Sequence, residues 1–524
     1  MPRTPLFHGA QRAMHIALLA NRHGWSTEEA VQQTSARTTR RDFLKASALA
    51  TLGPSLIACR SNTVRPPSSK PEVVVVGAGL AGLTCAYRLQ QAGIHARVFE
   101  AQSRLGGRIF SLRNYFDAGQ VVELGGEMID TNHGHIRGLA TELGLTLDDL
   151  DSTPELARTL WHFGGVRRSD GDVVEAFRPI AAAIERDLAR VDEDLGYRNS
   201  EAGRDLDQQS LAAWFDAHDV RGWIRSLLDV AYTTEMGLPI DQQSSLNFLT
   251  SIDPTPEPFR IFGESDERYH IRGGNDLLAS ELGKRLTTQI EVGCVLEAIS
   301  ATAAGGLTLT LRTGSGTRDV RASHAVLALP LTALRRVRLD VEIPSLQRRA
   351  INELAYGTNA KLIIGFSSRP WRDAQRSDGS TFSDLPYQTT WEASRAQAGV
   401  SGVLTNYVGG LRGLSIATGT AAEQARAAVA ELETIFPGVA QCRTGMKEAR
   451  FHWPSHEWTL GSYMCPRPGD WTTFGGVFEK PAGRLYFAGE HSSSTAQGFM
   501  EGACESGDRA AADLLQHVGS PAHR

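Results

Sequence analysis

Apolar and polar residues alternate in blocks along this chain, and the most regular block begins just after residue 70. Four consecutive valines, Val73–Val76, form the continuous apolar run that is typical of a strand buried on both faces. A turn containing Gly77, Gly79 and Gly82 follows, and then a helical pattern and a second strand that ends at Glu100. Strand, glycine turn, helix and strand in this order predict a βαβ unit.

Two further helices are predicted from local signals. One covers about residues 133–143 and follows a glycine pair. The other comes after the Gly273-Gly274 turn, where Asn275 or Asp276 can serve as its N-cap.

The middle and the end of the chain show different patterns. Residues from about 150 to 262 are mostly helical in pattern and contain no recognisable motif. Alternating runs after residue 290 predict strands around a glycine-rich turn at 314–316. A short apolar strand over 485–488 is followed by a loop and a helix that starts near Met500.

Composition narrows the class of protein. A chain of 524 residues is too long for one compact core, so two or three domains are expected. It has 41% hydrophobic and 22% charged residues and a net charge of −5, which is typical of a soluble globular protein. No block of Lys and Arg favours nucleic acid as a partner, and no run of about 18 apolar residues predicts a membrane span. Six cysteines without CxxC or zinc-like spacing indicate neither a metal site nor a disulfide framework.

The N-terminal segment resembles an export signal. Arg40 and Arg41 precede a modest apolar stretch, as in a twin-arginine signal, which addresses folded proteins to an export machinery. The protein is therefore expected to be periplasmic or associated with the cell envelope. Residues 56–59 also resemble a lipoprotein cleavage box, in which case Cys59 would carry a lipid anchor. Cleavage at an Ala-x-Ala-like site would instead leave a free periplasmic protein, and both alternatives stay open.

The glycine turn and the acid after the second strand predict a dinucleotide site. Gly77 allows the tight turn, Gly79 lets the backbone approach a pyrophosphate, and Gly82 lets the helix pack close to the strand. The helix N-terminus offers N–H groups to the anion. Glu100 is placed to accept hydrogen bonds from both ribose hydroxyls and would repel a 2′-phosphate, which argues against NADP. This unit alone leaves NAD and FAD open.

The C-terminal block decides between the two nucleotides. The strand over 485–488 ends at Gly489-Glu490, and a loop then leads to the helix that starts near Met500. A second strand, acid and helix N-terminus so far along the chain imply a cofactor contacted from both ends of the sequence. FAD is long enough to require that arrangement.

These residues, with "RLGGR", "LGGE" and "YGTNAKLIIGFSSRPWR", give the chain a resemblance over about residues 71–518 to the flavin-containing amine oxidases. That family includes monoamine, polyamine and L-amino-acid oxidases. It implies an α/β fold, in which a Rossmann-like FAD-binding domain is interleaved with an α+β substrate-binding domain that has a helical insertion. The expected boundaries are 1–59 for the signal peptide, 60–70 for the linker, 71–148, 267–341 and 457–518 for the FAD-binding domain, and 149–266 and 342–456 for the substrate-binding domain.

The resemblance also implies cofactor contacts from several segments. Residues expected to bind FAD are Gly77, Ala78, Gly79, Leu80, Ala81, Gly82, Glu100, Ala101, Arg104, Gly107, Arg108, Leu124, Gly125, Gly126, Glu127, Val295, Gly489, Glu490, Gly498, Phe499 and Met500. Arg104 and Arg108 are cations that could face phosphate. Gln102 departs from the family, in which many members carry arginine near the adenosine ribose.

Four side chains are expected at the reacting end. The family places a lysine like Lys361 near the flavin N5, where it holds a water that assists reoxidation by oxygen. Tyr463 and Phe499 match the two aromatic side chains that flank the amine, and Trp453 is a weaker candidate. An aromatic cage attracts a cationic amine and excludes water.

One departure from the family concerns how FAD is held. Members that bind flavin covalently carry a cysteine immediately before the tyrosine that corresponds to Tyr463, and this chain has Ser462. Serine cannot form the thioether, so FAD is expected to be noncovalent. Cys465 is expected to be a bystander.

The predicted reaction is oxidation of an amine to an imine, with O2 reduced to H2O2 and the imine hydrolysed to a carbonyl compound and ammonia or a smaller amine. L-amino-acid oxidases usually place an arginine after the second glycine pair, where this chain has Glu127. That acid either favours a cationic substrate or is structural. An L-amino-acid oxidase using Arg168, Arg178 or Arg221 stays an alternative.

Other classes also stay open. A desaturase or protoporphyrinogen-oxidase-like enzyme would share the FAD motifs, and so would a flavoprotein that binds FAD without turnover. The sequence does not decide between a monomer and a homodimer.

Overall fold

The computed structural model describes residues 26–27, 71–151, 155–156, 159–192, 195–250, 266–287, 289–443 and 445–519. Arg40, Arg41 and Cys59 lie outside the described residues, so the expected export signal and lipid anchor do too.

A five-stranded parallel sheet forms around the valine run. Its strands, in spatial order, are Leu485–Phe487, His324–Leu327, Val73–Val76, Arg97–Phe99 and Ile290–Glu291. Helices cover this sheet, which explains why its central strand Val73–Val76 is apolar without interruption and fully buried. The predicted βαβ unit is confirmed, with the second strand ending one residue before Glu100.

The two ends of the described chain meet on this sheet. The helix Leu80–Gln91 and the C-terminal helix Met500–Gly519 share one apolar core, to which Leu83 and Leu514 contribute. They approach closely because Gly507 has no side chain: a Cβ there would lie 2.5 Å from the carbonyl oxygen of Ala81. The strand Leu485–Phe487 and the helix Met500–Gly519 therefore lie beside the first βαβ unit. Segments from both ends of the sequence can thus contact one cofactor, as expected for FAD.

A seven-stranded mixed sheet forms the second large layer. Its strands, in spatial order, are Glu448–His452, Ala360–Phe366, Gly402–Val408, Thr389–Glu392, Thr381–Ser383, Leu160–Phe163 and Val166–Arg168. All neighbours are antiparallel except Thr381–Ser383 and Leu160–Phe163. The last two strands come from the segment predicted to be mostly helical. That prediction missed them because a short strand pair gives little alternation.

The remaining strands form smaller sheets. A four-stranded sheet contains Gly316–Ala322, Leu307–Thr313, Val295–Ala301 and Arg338–Asp340, and two strand pairs join Ser111–Leu112 to Val122–Glu123 and Leu147–Asp149 to Tyr269–Ile271. The hairpin around residues 314–316 is confirmed.

Most helices are peripheral to these sheets. The other α-helices are Gly134–Leu143, Asp170–Leu188, Arg204–Gln208, Leu211–Ala217, Gly222–Met236, Leu246–Leu249, Leu277–Arg285, Leu331–Leu334, Ser345–Glu353, Pro370–Asp373, Gly410–Ser415, Ala421–Leu432 and Asp470–Phe474. Short 3-10 turns cover Asp117–Gly119, Val439–Arg443, Trp453–Ser455 and Glu490–Ser492. In the part of the chain that is described, no helix is both long and apolar enough to cross a membrane.

The predicted α/β class is confirmed, whereas the domain boundaries stay a prediction. The prediction that Asn275 or Asp276 caps the helix after the Gly273-Gly274 turn gives the correct position but not the capping bond. Asp276 precedes the helix Leu277–Arg285, but its side chain makes no capping bond. Its carboxylate instead accepts hydrogen bonds from the Ser111 N–H, at 3.0 Å, and from the Arg113 guanidinium.

Candidate active site

The glycine turn gives one end of the site a floor of bare backbone. A Cβ added to Gly82 would lie 2.0 Å from the carbonyl oxygen of Gly77, so the turn and the helix can be this close only without a side chain. Gly79 faces Gly107, with 3.9 Å between the position of a Cβ on Gly79 and the Gly107 Cα. Gly79 is also the N-cap residue of the helix Leu80–Gln91, and no side chain caps its first-turn N–H groups.

Glu100 closes this end of the site. Its carboxylate accepts hydrogen bonds from the backbone N–H of Ala78, at 2.7 Å, and of Gln102, at 2.8 Å. Burial raises the pKa of Glu100, and these backbone donors oppose the rise. Each carboxylate oxygen can accept more than one hydrogen bond, so the acid can also serve a ligand's hydroxyl groups.

Arg108 and Glu490 join the middle of the site to the C-terminal segments. The Arg108 guanidinium donates to the Glu490 carboxylate at 2.8 Å and to the Ser462 carbonyl at 3.0 Å. Glu490 also accepts from the backbone N–H groups of Met464, at 3.2 Å, and Gly498, at 2.8 Å. One buried carboxylate therefore orients three segments that are distant in sequence.

The second glycine pair is held by a buried asparagine. The Asn275 side chain donates to the carbonyl oxygens of Gly126, at 3.1 Å, and Glu127, at 2.7 Å. A Cβ on Gly125 would lie 2.0 Å from the Arg108 carbonyl oxygen, and one on Gly126 would lie 2.9 Å from Met500. This turn is therefore packed between two other parts of the site and has no space for side chains.

Lys361 lies at the other end of the site, on the buried strand Ala360–Phe366. Its ammonium group is 2.5 Å from the Glu127 carboxylate and donates to the carbonyl oxygens of Gly125, at 2.8 Å, and Glu123, at 3.1 Å. An ammonium has three donors, and protein oxygens account for all of them. Glu127 also accepts from the Trp391 indole N–H at 2.9 Å. A buried lysine was expected to need a partner, and Glu127 is that partner.

Aromatic side chains surround this end. The Tyr463 hydroxyl lies 2.8 Å from the Tyr407 hydroxyl and donates to the carbonyl oxygen of Glu235 at 2.6 Å. The Phe499 ring packs edge-to-face on His133, with centroids 5.1 Å apart.

Trp453 differs from the other aromatic candidates because it is buried. Its indole N–H donates to the Leu124 carbonyl oxygen at 2.9 Å, and its ring lies against Phe451. The Trp453 ring also packs against the glycine pair, since a Cβ on Gly125 would lie 3.1 Å from it.

Residues from all of these parts of the site line one cavity of about 560 Å³. The residues predicted for the site that line it are Gly77, Gly79, Leu80, Ala81, Glu100, Ala101, Gly107, Arg108, Gly125, Gly126, Glu127, Val295, Lys361, Trp453, Tyr463, Gly489, Glu490, Gly498, Phe499 and Met500. The predicted residues Ala78, Gly82, Arg104 and Leu124 do not contribute to its wall. Ala78 and Leu124 act through their backbones, and Gly82 acts by lacking a side chain.

Arg104 requires a correction. It was expected to face a phosphate, but its guanidinium donates to the carbonyl oxygens of Gly107, at 2.7 Å, and Leu105, at 3.2 Å, and packs on the Phe110 ring. With a further bond to the Ile109 carbonyl oxygen at 3.3 Å, three backbone carbonyls and one ring of its own loop hold this side chain away from the cavity wall. Arg104 therefore shapes the loop that carries Gly107.

Sequence reasoning missed several residues of the cavity wall. Trp391, Tyr407 and Glu267 line it near Lys361, and Cys294 lies beside Val295 at the Glu100 end. Trp391 and Tyr407 belong to neighbouring strands of the mixed sheet, where Tyr407 is directly opposite Lys361. The register that brings them together is a tertiary feature, so no local pattern indicates it.

The three arginines considered for a substrate carboxylate lie elsewhere. Arg168 packs on Trp223, and Arg178 and Arg221 pair with nearby acids. None of them lines the cavity. Among the described residues, no group of three or more His, Cys, Asp or Glu side chains is arranged to hold a metal ion.

A parallel sheet with a glycine turn and an acid at one end of a long cavity defines a dinucleotide-binding protein. A model of the family described as "Flavin containing amine oxidoreductase" matches residues 80–515. The chain belongs to this family, and the family implies FAD.

Relatives and solved structures agree with the family. The L-amino acid dehydrogenase of Synechocystis sp. is 26% identical over 472 residues, covering 86% of this chain and 96% of that protein. The flavin-containing amine oxidase B of Bos taurus is 25% identical over 473 residues, covering 86% and 87%. A cyclohexylamine oxidase from Brevibacterium oxydans superposes with a TM-score of 0.75 at 22% identity, covering 86% of this chain and 100% of that chain. A putrescine oxidase bound to putrescine gives a TM-score of 0.72 at 21% identity, with the same coverage. Identities this low between structures support the fold alone.

Proposed function

We propose that the protein oxidises the C–N bond of an amine to an imine, reduces O2 to H2O2, and releases a carbonyl compound after hydrolysis. The observation that carries the proposal is the single cavity that joins the glycine turn and Glu100 to the Lys361–Glu127 pair and the tyrosines. A molecule in this cavity has the glycine turn and Glu100 at one end and aromatic side chains at the other.

The residues at the Glu100 end fit the adenosine and pyrophosphate of FAD. Gly79 and Gly107 form a surface of bare backbone, and the uncapped helix N-terminus beside it favours an anion. Glu100 would hold the ribose and Val295 the adenine. Glu490 would reach the ribityl region, and the segment 498–502 would lie over the ring system. When bound, FAD accepts a hydride from the amine carbon and passes two electrons to O2.

The chain's own residues position the amine and keep water away from it. Tyr463, Tyr407, Phe499 and Trp391 supply aromatic surface around the reacting end. Such surface attracts a cationic amine, and desolvation favours the neutral amine, which is the form that can lose hydride. Lys361 is assigned to the oxygen reaction by family resemblance, where it would hold a water. Because its three donors already bind protein oxygens, a water would have to replace one of them.

The charges at the reacting end favour an amine over an amino acid. Among the cations that line the cavity, Lys361 is already neutralised by Glu127, and Arg108, which also contacts the Ser462 carbonyl beside Tyr463, is already neutralised by Glu490. A substrate carboxylate would therefore face acids rather than an arginine. Oxidation of L-amino acids stays the second candidate because a relative is named L-amino acid dehydrogenase.

We also propose that FAD is noncovalent. Ser462 lines the cavity where the covalent enzymes of the family have cysteine, and its hydroxyl donates to Asn359 at 2.7 Å. The cysteine among the described lining residues is Cys294, whose N–H bonds the Glu100 carbonyl at the opposite end. Acid precipitation should release the flavin into the supernatant. Flavin that stays with the pellet would contradict this.

Export by the twin-arginine route is a further part of the proposal, supported by Arg40 and Arg41 before the apolar stretch. Fusion of residues 1–59 to a reporter tests it. Replacing both arginines by lysine should abolish export, and unchanged export would exclude this route.

One panel of substrates tests the reaction. Purified holoprotein is mixed with primary amines and with L-amino acids, and flavin bleaching without air and peroxide formation in air are both followed. We expect bleaching and peroxide with amines. Bleaching by L-amino acids alone would favour the second candidate. Bleaching without peroxide would retain amine oxidation but replace O2 as acceptor, and no bleaching by any compound would overturn the proposal.

A further inference from the structure

Glu267 is a buried acid on the cavity wall whose carboxylate is not fully satisfied. The residue is 6% exposed and lines the cavity. Its Oε1 atom has no hydrogen-bond partner among the residues that the structure describes. A buried carboxylate oxygen without a donor is costly, so its presence on a cavity wall points to a ligand that supplies one.

The backbone fixes this side chain in place. Glu267 has a φ of 46°, in the left-handed region that residues with a Cβ rarely adopt. Its N–H donates to the Asp130 carboxylate at 2.8 Å, and Asp130 is itself buried and lines the cavity. Strain of this kind persists where the surroundings impose it and is common at ligand sites.

The charges around Glu267 are predominantly negative. Asp130, Glu235 and Glu127 all act on it, and Arg395 is the cation that opposes them. Arg395 already lies 3.4 Å from Asp378, and Lys361 is already paired with Glu127.

The neighbouring histidine does not compensate for this charge. Burial, with repulsion from Arg137, lowers the pKa of His133 to about 4, so its ring is neutral at neutral pH. Burial, followed by Asp130 and Glu235, raises the pKa of Glu267 well above its ordinary value. This end of the cavity therefore has an excess of acid that a cation would relieve.

The acids that act on Glu267 are part of the reacting end of the site, not of the Glu100 end. Glu127 binds Lys361, and the backbone carbonyl of Glu235 accepts the Tyr463 hydroxyl at 2.6 Å. Asp130 is 3.3 Å from His133, whose ring packs on Phe499. Glu267 interacts with Asp130, Glu235 and Glu127, and therefore belongs to the same part of the cavity wall as these aromatic side chains.

We propose that Glu267 binds a second cationic nitrogen of the substrate, so that the preferred substrates are amines with an ammonium or guanidinium group at the far end of the molecule. This inference rests on the proposed function. A diamine and a basic amino acid share this chemistry, and the experiment distinguishes them.

Matched substrate pairs test the inference. 1,5-Diaminopentane is compared with 1-aminopentane, and L-lysine with L-norleucine, through the rate of anaerobic flavin bleaching as a function of concentration. In the wild-type holoprotein we expect the second-order rate constant of flavin reduction to be at least about tenfold higher for the member of one pair that carries the second cationic nitrogen, which corresponds to about 1.4 kcal/mol. The pair that shows the preference identifies whether the second cationic nitrogen belongs to a diamine or to a basic amino acid.

The variant Glu267→Gln keeps the size of the side chain and cannot form a carboxylate when a cation binds. We expect it to reduce the preference to within about twofold by slowing flavin reduction by the compound with the second cationic nitrogen, with little change for its partner compound. Glu185→Gln makes the same chemical change on the exposed side of the helix Asp170–Leu188 and should keep the wild-type preference.

The outcomes distinguish a failure of the Glu267 inference from a failure of the proposed amine oxidation. Equal rates within both pairs in the wild type, or an equal fall for both members in Glu267→Gln, would overturn the inference and leave amine oxidation intact. Absence of bleaching by all four compounds would overturn the proposed function and the inference together. If Glu267→Gln does not fold, the wild-type preference decides.

Discussion

The pair formed by Lys361 and Glu127 shows what individual residues reveal before the fold is known. A lysine in an otherwise apolar strand must find a partner, and the sequence predicts that need correctly. It does not identify the partner, because 234 residues separate the two side chains. Glu127 was considered as an acid that attracts substrate or as a structural group. In the fold it neutralises Lys361 and accepts a hydrogen bond from Trp391, whereas Glu267 has a carboxylate oxygen that accepts no hydrogen bond from the described residues.

Replacing Lys361 should destabilise the protein more than its loss of packing explains. In Lys361→Met the Glu127 carboxylate stays buried without its cation, which costs about 3–5 kcal/mol. The double variant Lys361→Met/Glu127→Gln removes both charges and should recover most of that loss. Urea unfolding of the holoproteins measures both.

A matched lysine provides the control for this prediction. Lys284 pairs with Glu281 on the outer face of the helix Leu277–Arg285, where the lysine side chain is 69% exposed. Lys284→Met should cost less than about 1 kcal/mol. A Lys361→Met variant no less stable than Lys284→Met would show that the buried pair does not contribute to stability.

At the scale of elements, the accuracy of prediction follows the range of the interactions. The βαβ unit and the hairpin around 314–316 are set by contiguous residues, and their predicted bounds match the structure within one or two residues. The strands Leu160–Phe163 and Thr389–Glu392 are short and exist because neighbours complete the mixed sheet. Pairing across the sheet also decides that Tyr407 faces Lys361. Sequence alone therefore gives the nucleotide end of the site more fully than the reacting end.

The close approach at the glycine turn gives a sharp prediction for one element. Gly82→Ala would place a Cβ 2.0 Å from the carbonyl oxygen of Gly77, and backbone on both sides cannot move without opening the turn. We expect the variant to lose FAD, or to fail to fold, as measured by the flavin absorbance of the purified protein.

Another helical glycine serves as the comparison. Gly138 lies in the helix Gly134–Leu143, and a Cβ there would meet nothing within 4 Å. Gly138→Ala should stabilise the protein by about 0.5–1 kcal/mol and retain the flavin. Normal flavin content in Gly82→Ala would mean that the turn is not required to be this tight.

For the molecule as a whole, the dependence of stability on pH reports on buried titratable groups. Burial lowers the pKa of both His133 and His491 to about 4, and nearby arginines contribute. The unfolded chain has histidine pKa values of about 6.5, so it binds more protons than the native state between these values. Each histidine then contributes stability that is present above pH 6.5 and is lost as the pH falls towards 4. Glu267 has the opposite effect because its pKa is raised in the native state. Its contribution to stability is present at low pH and is lost as the pH rises.

His133 allows its share of this effect to be isolated. It precedes the helix Gly134–Leu143 as the N-cap residue, and its Nδ1 accepts the backbone N–H of Asp130 at 3.0 Å. Asparagine is a favoured N-cap residue and its side-chain oxygen can accept that hydrogen bond, so His133→Asn should fold normally. Between pH 7 and pH 5 the wild type should lose about 2 kcal/mol through this one group, and the variant should be spared that loss. Urea unfolding at the two pH values measures the difference, with His95→Asn at an exposed position as the control. Because all groups other than residue 133 are common to the two proteins, equal losses in wild type and His133→Asn would mean that His133 does not resist protonation in the native state.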